Sequence, residues 1–209
     1  MWRKGSTMNA LRKSFNQKLI YILAFILCTQ VAVAELNGAY SPIHETIGQF
    51  EAEQKIDELL LLIQKRLVIM HEVARTKWNQ NLPIEDKVRE QQILVDLAAK
   101  ANQYGLDEKI ITQFFQAQID ASKEIQKRDF ILWKENGILK FDKIFSLKNE
   151  LRFYIDRLNN EMLVVLSKVY TNLYDLNDKY ILVYPISKRS SDYIEDDIWS
   201  LAISPLKIN

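Results

Sequence analysis

Cysteine is almost missing: the 209 residues contain one, Cys28. Beyond it, the chain offers no disulfide framework, no thiolate metal site and no cysteine nucleophile. Histidine is nearly as scarce. His44 and His71 are the only two, neither has a partner at ligand spacing, and no metal site is expected. Glycine and proline number five and four. So few breakers argue against a many-turned β fold, and abundant Leu, Ile, Glu, Lys and Gln favour long helices. There is no internal repeat and no low-complexity segment.

Acidic residues are absent from the first 34 positions, which hold Arg3, Lys4, Arg12, Lys13 and Lys18. An apolar run, Leu19 to Cys28, follows these bases, and then Ala32-Val33-Ala34 with Glu35 after it. Basic region, short apolar core and small-residue cleavage motif together read as a secretory signal peptide over residues 1–34. The run is too short for a comfortable membrane span. The remaining chain, 35–209, carries 23 bases against 27 acids, a net charge of −4. Nucleic-acid affinity rests on neutralising phosphates, so neither a nucleic-acid partner nor, after cleavage, a membrane partner is expected. The expected location is periplasmic or secreted.

Residues 35–209 read as a single all-α domain, with helices 35–135 and C-terminal helices 136–209. After a short leader over 35–44, Leu59, Leu62, Ile63, Met70 and Val73 recur at helical spacings, predicting a helix from about Glu45 to Asn79. Asn81-Leu82-Pro83 interrupts it. Pro83 suits the first turn of a second helix that runs to about Tyr104 and stops at Gly105. Asp107 caps a third helix reaching about Lys134, which Asn136-Gly137 ends. A fourth helix is expected over 143–175, with Ile155, Leu158, Met162, Leu166 and Val169 in its stripe. Tyr180 to Tyr184 reads as helical or extended cover, and a last short helix is placed near 190–203. The aromatics Trp78, Phe114, Phe115 and Trp133 read as core.

Several polar residues sit on the wrong face. Arg66, Met70, Val73 and Lys77 are spaced by four, three and four. At about 3.6 residues per turn Lys77 returns almost over Arg66, inside the apolar stripe. Burying unpaired cations costs several kcal/mol, so an anionic partner is needed. On the second helix Asp86, Arg89 and Glu90 share a face with Ile93 and Leu97. On the third, Ser122 and Gln126 interrupt the stripe Phe115, Ile119, Trp133. Folded together, these helices would enclose a cationic pocket suited to a small dianion bearing a hydroxyl. Against this stands the ordinary alternative for each residue alone: aliphatic stems pack at a stripe edge while the charges reach water, or form surface pairs. Periodicity by itself supports a helical protein with a candidate anion pocket.

From Leu59 to Gln126 the sequence resembles the all-helical chorismate mutase family, in particular its secreted, periplasmic-type branch. The segments LLLLIQKRL, VARTKWNQNLPIEDKVREQQIL, YGLDEKIITQFFQAQIDASKEIQ and FILWKE carry the likeness. Specific within them are Lys77-Trp78, Pro83-Ile84-Glu85-Asp86, Arg89-Glu90-Gln91-Gln92 and Phe114-Phe115-Gln116-Ala117-Gln118.

The resemblance implies a chorismate mutase type II-like fold and conversion of chorismate to prephenate without a cofactor. By position, Arg66 would hold a substrate carboxylate. Lys77 would donate to the ether oxygen of the breaking bond and to a carboxylate, with Gln126 the second donor to that oxygen. Asp86 and Glu90 fall near the substrate hydroxyl, Arg89 on the carboxylate side, and Ser122 on a carboxylate contact. Arg152, before Leu158-Asn159-Asn160, matches an arginine that this branch draws from a later helix of the same chain. Some relatives carry disulfide-forming cysteines in the C-terminal half, which this chain lacks. A homodimer is expected from the resemblance alone. Two other readings remain open at this point: a non-catalytic helical binding or adaptor protein of the periplasm, and the same fold with activity lost.

Overall fold

The computed structural model describes residues 50–173 and 194–206, and the compact unit begins at Ala52. Within these residues there is no strand. The helices are α1 over 50–80, α2 Lys87–Ala101, α3 Glu108–Glu135, α4 Arg152–Leu173 and α5 Asp196–Ile203. The expected signal peptide and leader, the segment Tyr180 to Tyr184 and the start assigned to the first helix lie outside the described residues.

Three stops use one device. Asn81, Gly105 and Gly137 have φ of 52°, 68° and 65°. Each lets two backbone N–H groups turn back onto the last carbonyls: Leu82 to Lys77, Leu106 to Ala101, and Ile138 to Trp133 are the outer bonds, at 2.9, 3.0 and 2.9 Å. Gly105 closes a 3₁₀ turn, Asn102–Tyr104, appended to α2. Asp107 caps α3, its carboxylate accepting from the Ile110 N–H at 3.1 Å.

Two boundaries differ from expectation. The second helix starts at Lys87, not at Pro83. Asp86 is its cap: its carboxylate accepts from Arg89 N–H, and its own N–H donates to Glu90, both at 3.1 Å. Residues 83–86 stay outside the helix. The fourth helix does not begin at 143. Side chains of α1 donate to the carbonyls of Lys143 and Phe145, from Arg75 and Thr76, while Asn79 pairs with Phe141 through both its amide ends. These bonds tie residues 141–145 to α1 in a non-helical backbone. Ser146 then caps Asn149, and a π turn, Leu147–Leu151, leads into α4.

Of the residues expected in the core, Leu59 and Ile63 of α1, Phe114, Phe115 and Trp133 of α3, and Leu158 and Met162 of α4 are buried, while Trp78 is half-buried; Leu67 of α1 and Trp199 of α5 join them. α3 runs through the centre, packing on α2 and α5, while α4 packs on α2. Trp78, Phe130, Trp133 and Phe141 make an edge-to-face cluster at the end of α1. Among the described residues no helix is long and apolar enough to cross a membrane.

Candidate active site

A cleft of about 610 Å³, partly open to solvent, lies among α1, α2, α3 and the start of α4. Every site residue taken from the sequence lines it: Arg66, Lys77, Asp86, Arg89, Glu90, Ser122, Gln126 and Arg152. So do four residues the sequence pass did not assign to the site, Ile84, Lys123, Leu147 and Asp156, beside an apolar wall of Met70, Val73, Ile93, Ile119 and Ile155.

Five bases face three carboxylates across this lining, leaving an excess of two positive charges. Three bases are paired. Arg152 donates to Asp86 at 2.8 Å and Arg89 to both oxygens of Asp156 at 2.5 Å. Lys123 reaches Glu90 at 3.2 Å and, outside the cleft wall, Asp120 at 3.0 Å. Burial alone would lower the Lys123 pKa, but these two acids outweigh it and raise it.

Arg66 and Lys77 are different. Both are buried, at 3% and 8% exposure, and neither has a carboxylate at ion-pair distance among the described residues. Arg66 is held by neutral acceptors: Nε donates to Asn159 Oδ1 at 2.9 Å, and Nη1 to the Gln118 carbonyl at 2.9 Å and Ser122 Oγ at 2.7 Å. Those bonds use three of five N–H donors and leave Nη2 to the cleft. Lys77 Nζ donates to the Ile84 carbonyl at 2.6 Å, which leaves two of its three donors. Burial pushes Arg66 down to about 10, against the attraction of Asp156. Burial also lowers Lys77, opposed by Asp86 and Glu90 and reinforced by Arg152.

Gln126, 3% exposed, donates one N–H to the Ser122 carbonyl at 2.9 Å. That bond fixes which end is nitrogen, because a carbonyl only accepts. One N–H remains, and Oε1 is buried with no partner. The Ser122 hydroxyl spends its single proton on the Gln118 carbonyl at 2.6 Å and accepts from Arg66. In this arrangement Ser122 supports Arg66 instead of offering a donor to the cleft.

The residues missed by the sequence reading are mostly partners of those it found. Asp156 and Asn159 stand four and seven positions after Arg152, a polar line on α4 beside the apolar line Ile155, Leu158, Met162. That line was a legible signal. Gln118, wholly buried with Nε2 on the Ala202 carbonyl, contributes only its backbone to Arg66 and left no such signal. No group of three or more metal-ligating side chains occurs among the described residues.

Residues 54–127 match the family model described as chorismate mutase type II. Over 137 residues, 66% of this chain and 68% of the relative, the sequence is 31% identical to the secreted chorismate mutase of Mycobacterium tuberculosis. The chain belongs to the type II chorismate mutase family. A shorter stretch of 75 residues, 36% of this chain and 40% of the relative, is 37% identical to the secreted chorismate mutase of Yersinia pestis. The fold agrees. The crystal structure of a chorismate mutase from Burkholderia thailandensis superposes with a TM-score of 0.64 at 27% identity, covering 74% of this chain and 98% of that one. Membership of this family makes the chain an isomerase, and relatives named as secreted put it among the exported members. The non-catalytic adaptor reading is left without support.

Proposed function

We propose that this cleft binds chorismate and rearranges it to prephenate, with Arg66, Lys77 and Gln126 as the catalytic residues. One observation carries the reading: two buried cations without a carboxylate partner among the described residues give the cleft two spare positive charges, and the substrate is a dianion. Its carboxylates supply what Arg66 and Lys77 lack, so the cost of burying those charges is recovered on binding.

The rearrangement is pericyclic and intramolecular. One carbon–oxygen bond breaks as one carbon–carbon bond forms, and no proton, electron or nucleophile is exchanged. The enzyme has two tasks: to hold a compact conformer with the reacting ends together, and to stabilise negative charge growing on the ether oxygen. For the first, Arg66 meets one carboxylate through Nη2, and Arg89 and Arg152, which line the same cleft, serve the other. For the second, Lys77 and Gln126 have donors left after their structural bonds. They are held by those bonds before the reaction starts, and both side chains are buried, where such donors act most strongly. Asp86 and Glu90 are the acceptors for the substrate hydroxyl.

We further infer that residues 1–34 are a removed signal peptide, that 35–209 is one domain, and that the protein is a homodimer. Mass spectrometry of the exported protein and analytical ultracentrifugation test these.

The deciding assay follows loss of chorismate absorbance with purified protein and no added cofactor. Rapid turnover is the expected result. A folded protein that leaves chorismate unchanged would sink the reading while leaving the family assignment in place.

A further inference from the structure

α4 presents Arg152, Asp156 and Asn159 along one face, and each bonds a different charged side chain of the cleft. Arg152 takes Asp86, Asp156 takes Arg89, and Asn159 takes Arg66. Two of these contacts are ion pairs. The third is not, although it is the most buried: Asn159 is 2% exposed and its Oδ1 lies 2.9 Å from Arg66 Nε. An aspartate at 159 would have nearly the same shape and would satisfy the same donor. It would also cancel Arg66, and the cleft's excess would fall from two positive charges to one.

We propose that Asn159 is a positioning residue whose neutrality sets the affinity of the cleft for a dianion: it orients Arg66 without neutralising it. This rests on the reading that the cleft binds chorismate. The amide carbonyl fixes Nε, the Gln118 carbonyl and Ser122 fix Nη1, and Nη2 is thereby aimed at the cleft with its charge intact. A carboxylate at this place would make the folded protein more comfortable and the enzyme worse, because a buried arginine gains from an internal anion that the substrate must then compete with.

The experiment compares wild type, Asn159→Asp and Asn159→Ala by thermal melting and by KM and kcat for chorismate. Wild-type turnover is the control for the underlying reading; its absence would overturn that reading and, with it, this proposal. Given wild-type turnover, Asn159→Asp is expected to melt at or above the wild-type temperature. Its KM is expected to rise by roughly tenfold or more, with a smaller change in kcat. Asn159→Ala, which frees Nε and opens a gap, is expected to melt lower and to lose on both KM and kcat. An Asn159→Asp protein with wild-type KM would overturn the proposal, since a purely structural asparagine tolerates that change. Should Asn159→Asp not fold, Asn159→Ala decides: a lower melting temperature with unchanged KM and kcat would leave Asn159 with packing alone.

Discussion

The cations of the cleft divide by the helix they come from. Those on α2, α3 and α4, Arg89, Lys123 and Arg152, carry carboxylate partners and are 18–36% exposed at their side chains. Those on α1, Arg66 and Lys77, are buried deeper and are held by amide and carbonyl oxygens and a hydroxyl. Paired charges at a rim shape a site and steer a ligand, yet contribute modestly to its affinity. Buried charges without a carboxylate partner are costly until an anion arrives. On the proposed function the groups do separate work: the rim selects and orients, and α1 provides the strong field.

Truncating the deep group should therefore cost most. Lys77→Ala is expected to lower kcat by roughly 100- to 1,000-fold while far-ultraviolet circular dichroism stays helical. A loss no greater than that of a rim variant would erase the distinction between the two groups. Gln126→Glu tests the neutral donor beside it. A glutamate donates a hydrogen bond only when protonated, so activity of the variant should fall about tenfold per pH unit above the glutamate's pKa. Wild type, with an amide that donates at every pH, should stay flat through neutrality. A pH–rate profile of both proteins separates them.

The same argument sets the alkaline limit of wild type. Lys77 must be protonated to act, and burial lowers it from 10.5. Activity should hold below that lowered value and fall as pH rises through it, so the descent begins before pH 10.5, and Arg66, pushed down to about 10, adds to the loss as its own charge goes. A profile flat to pH 11 would mean that neither cation is needed in its charged form. At the rim, Arg152→Ala should reduce kcat/KM by roughly tenfold, mostly through KM, since Asp86 keeps its capping bond to α2 without it. The smallest effect belongs to a residue in neither group. Asp107→Ala removes the α3 cap and should cost about 1 kcal/mol of stability, read by urea unfolding, with KM unchanged.

Much of the helical plan is legible from local chemistry. Asn81, Gly105 and Gly137 stop helices because a positive φ is cheap for Asn and Gly, and Asp107 starts one because its side chain reaches back to a free N–H. The two misplaced boundaries, at Pro83 and residue 143, have another origin. Pro83 is permitted in a first turn but not required there, and Asp86 with Glu90 offers the better start. Residues 143–145 are claimed by Arg75 and Thr76, some seventy positions earlier in the chain.

The sequence alone determined the helices, their apolar stripes and the identity of the polar residues that intrude on them, because these follow from spacing along a periodic backbone. Which cation finds an acid and which does not was decided only by tertiary structure. By sequence distance Arg89 could as well have paired with Asp86, three positions before it; instead it takes Asp156 from α4, while Arg152 takes Asp86. Pairing depends on where helices distant in sequence come to lie, and from that packing come the two cations without an acid among the described residues, the pair on which the proposed binding of a dianion rests.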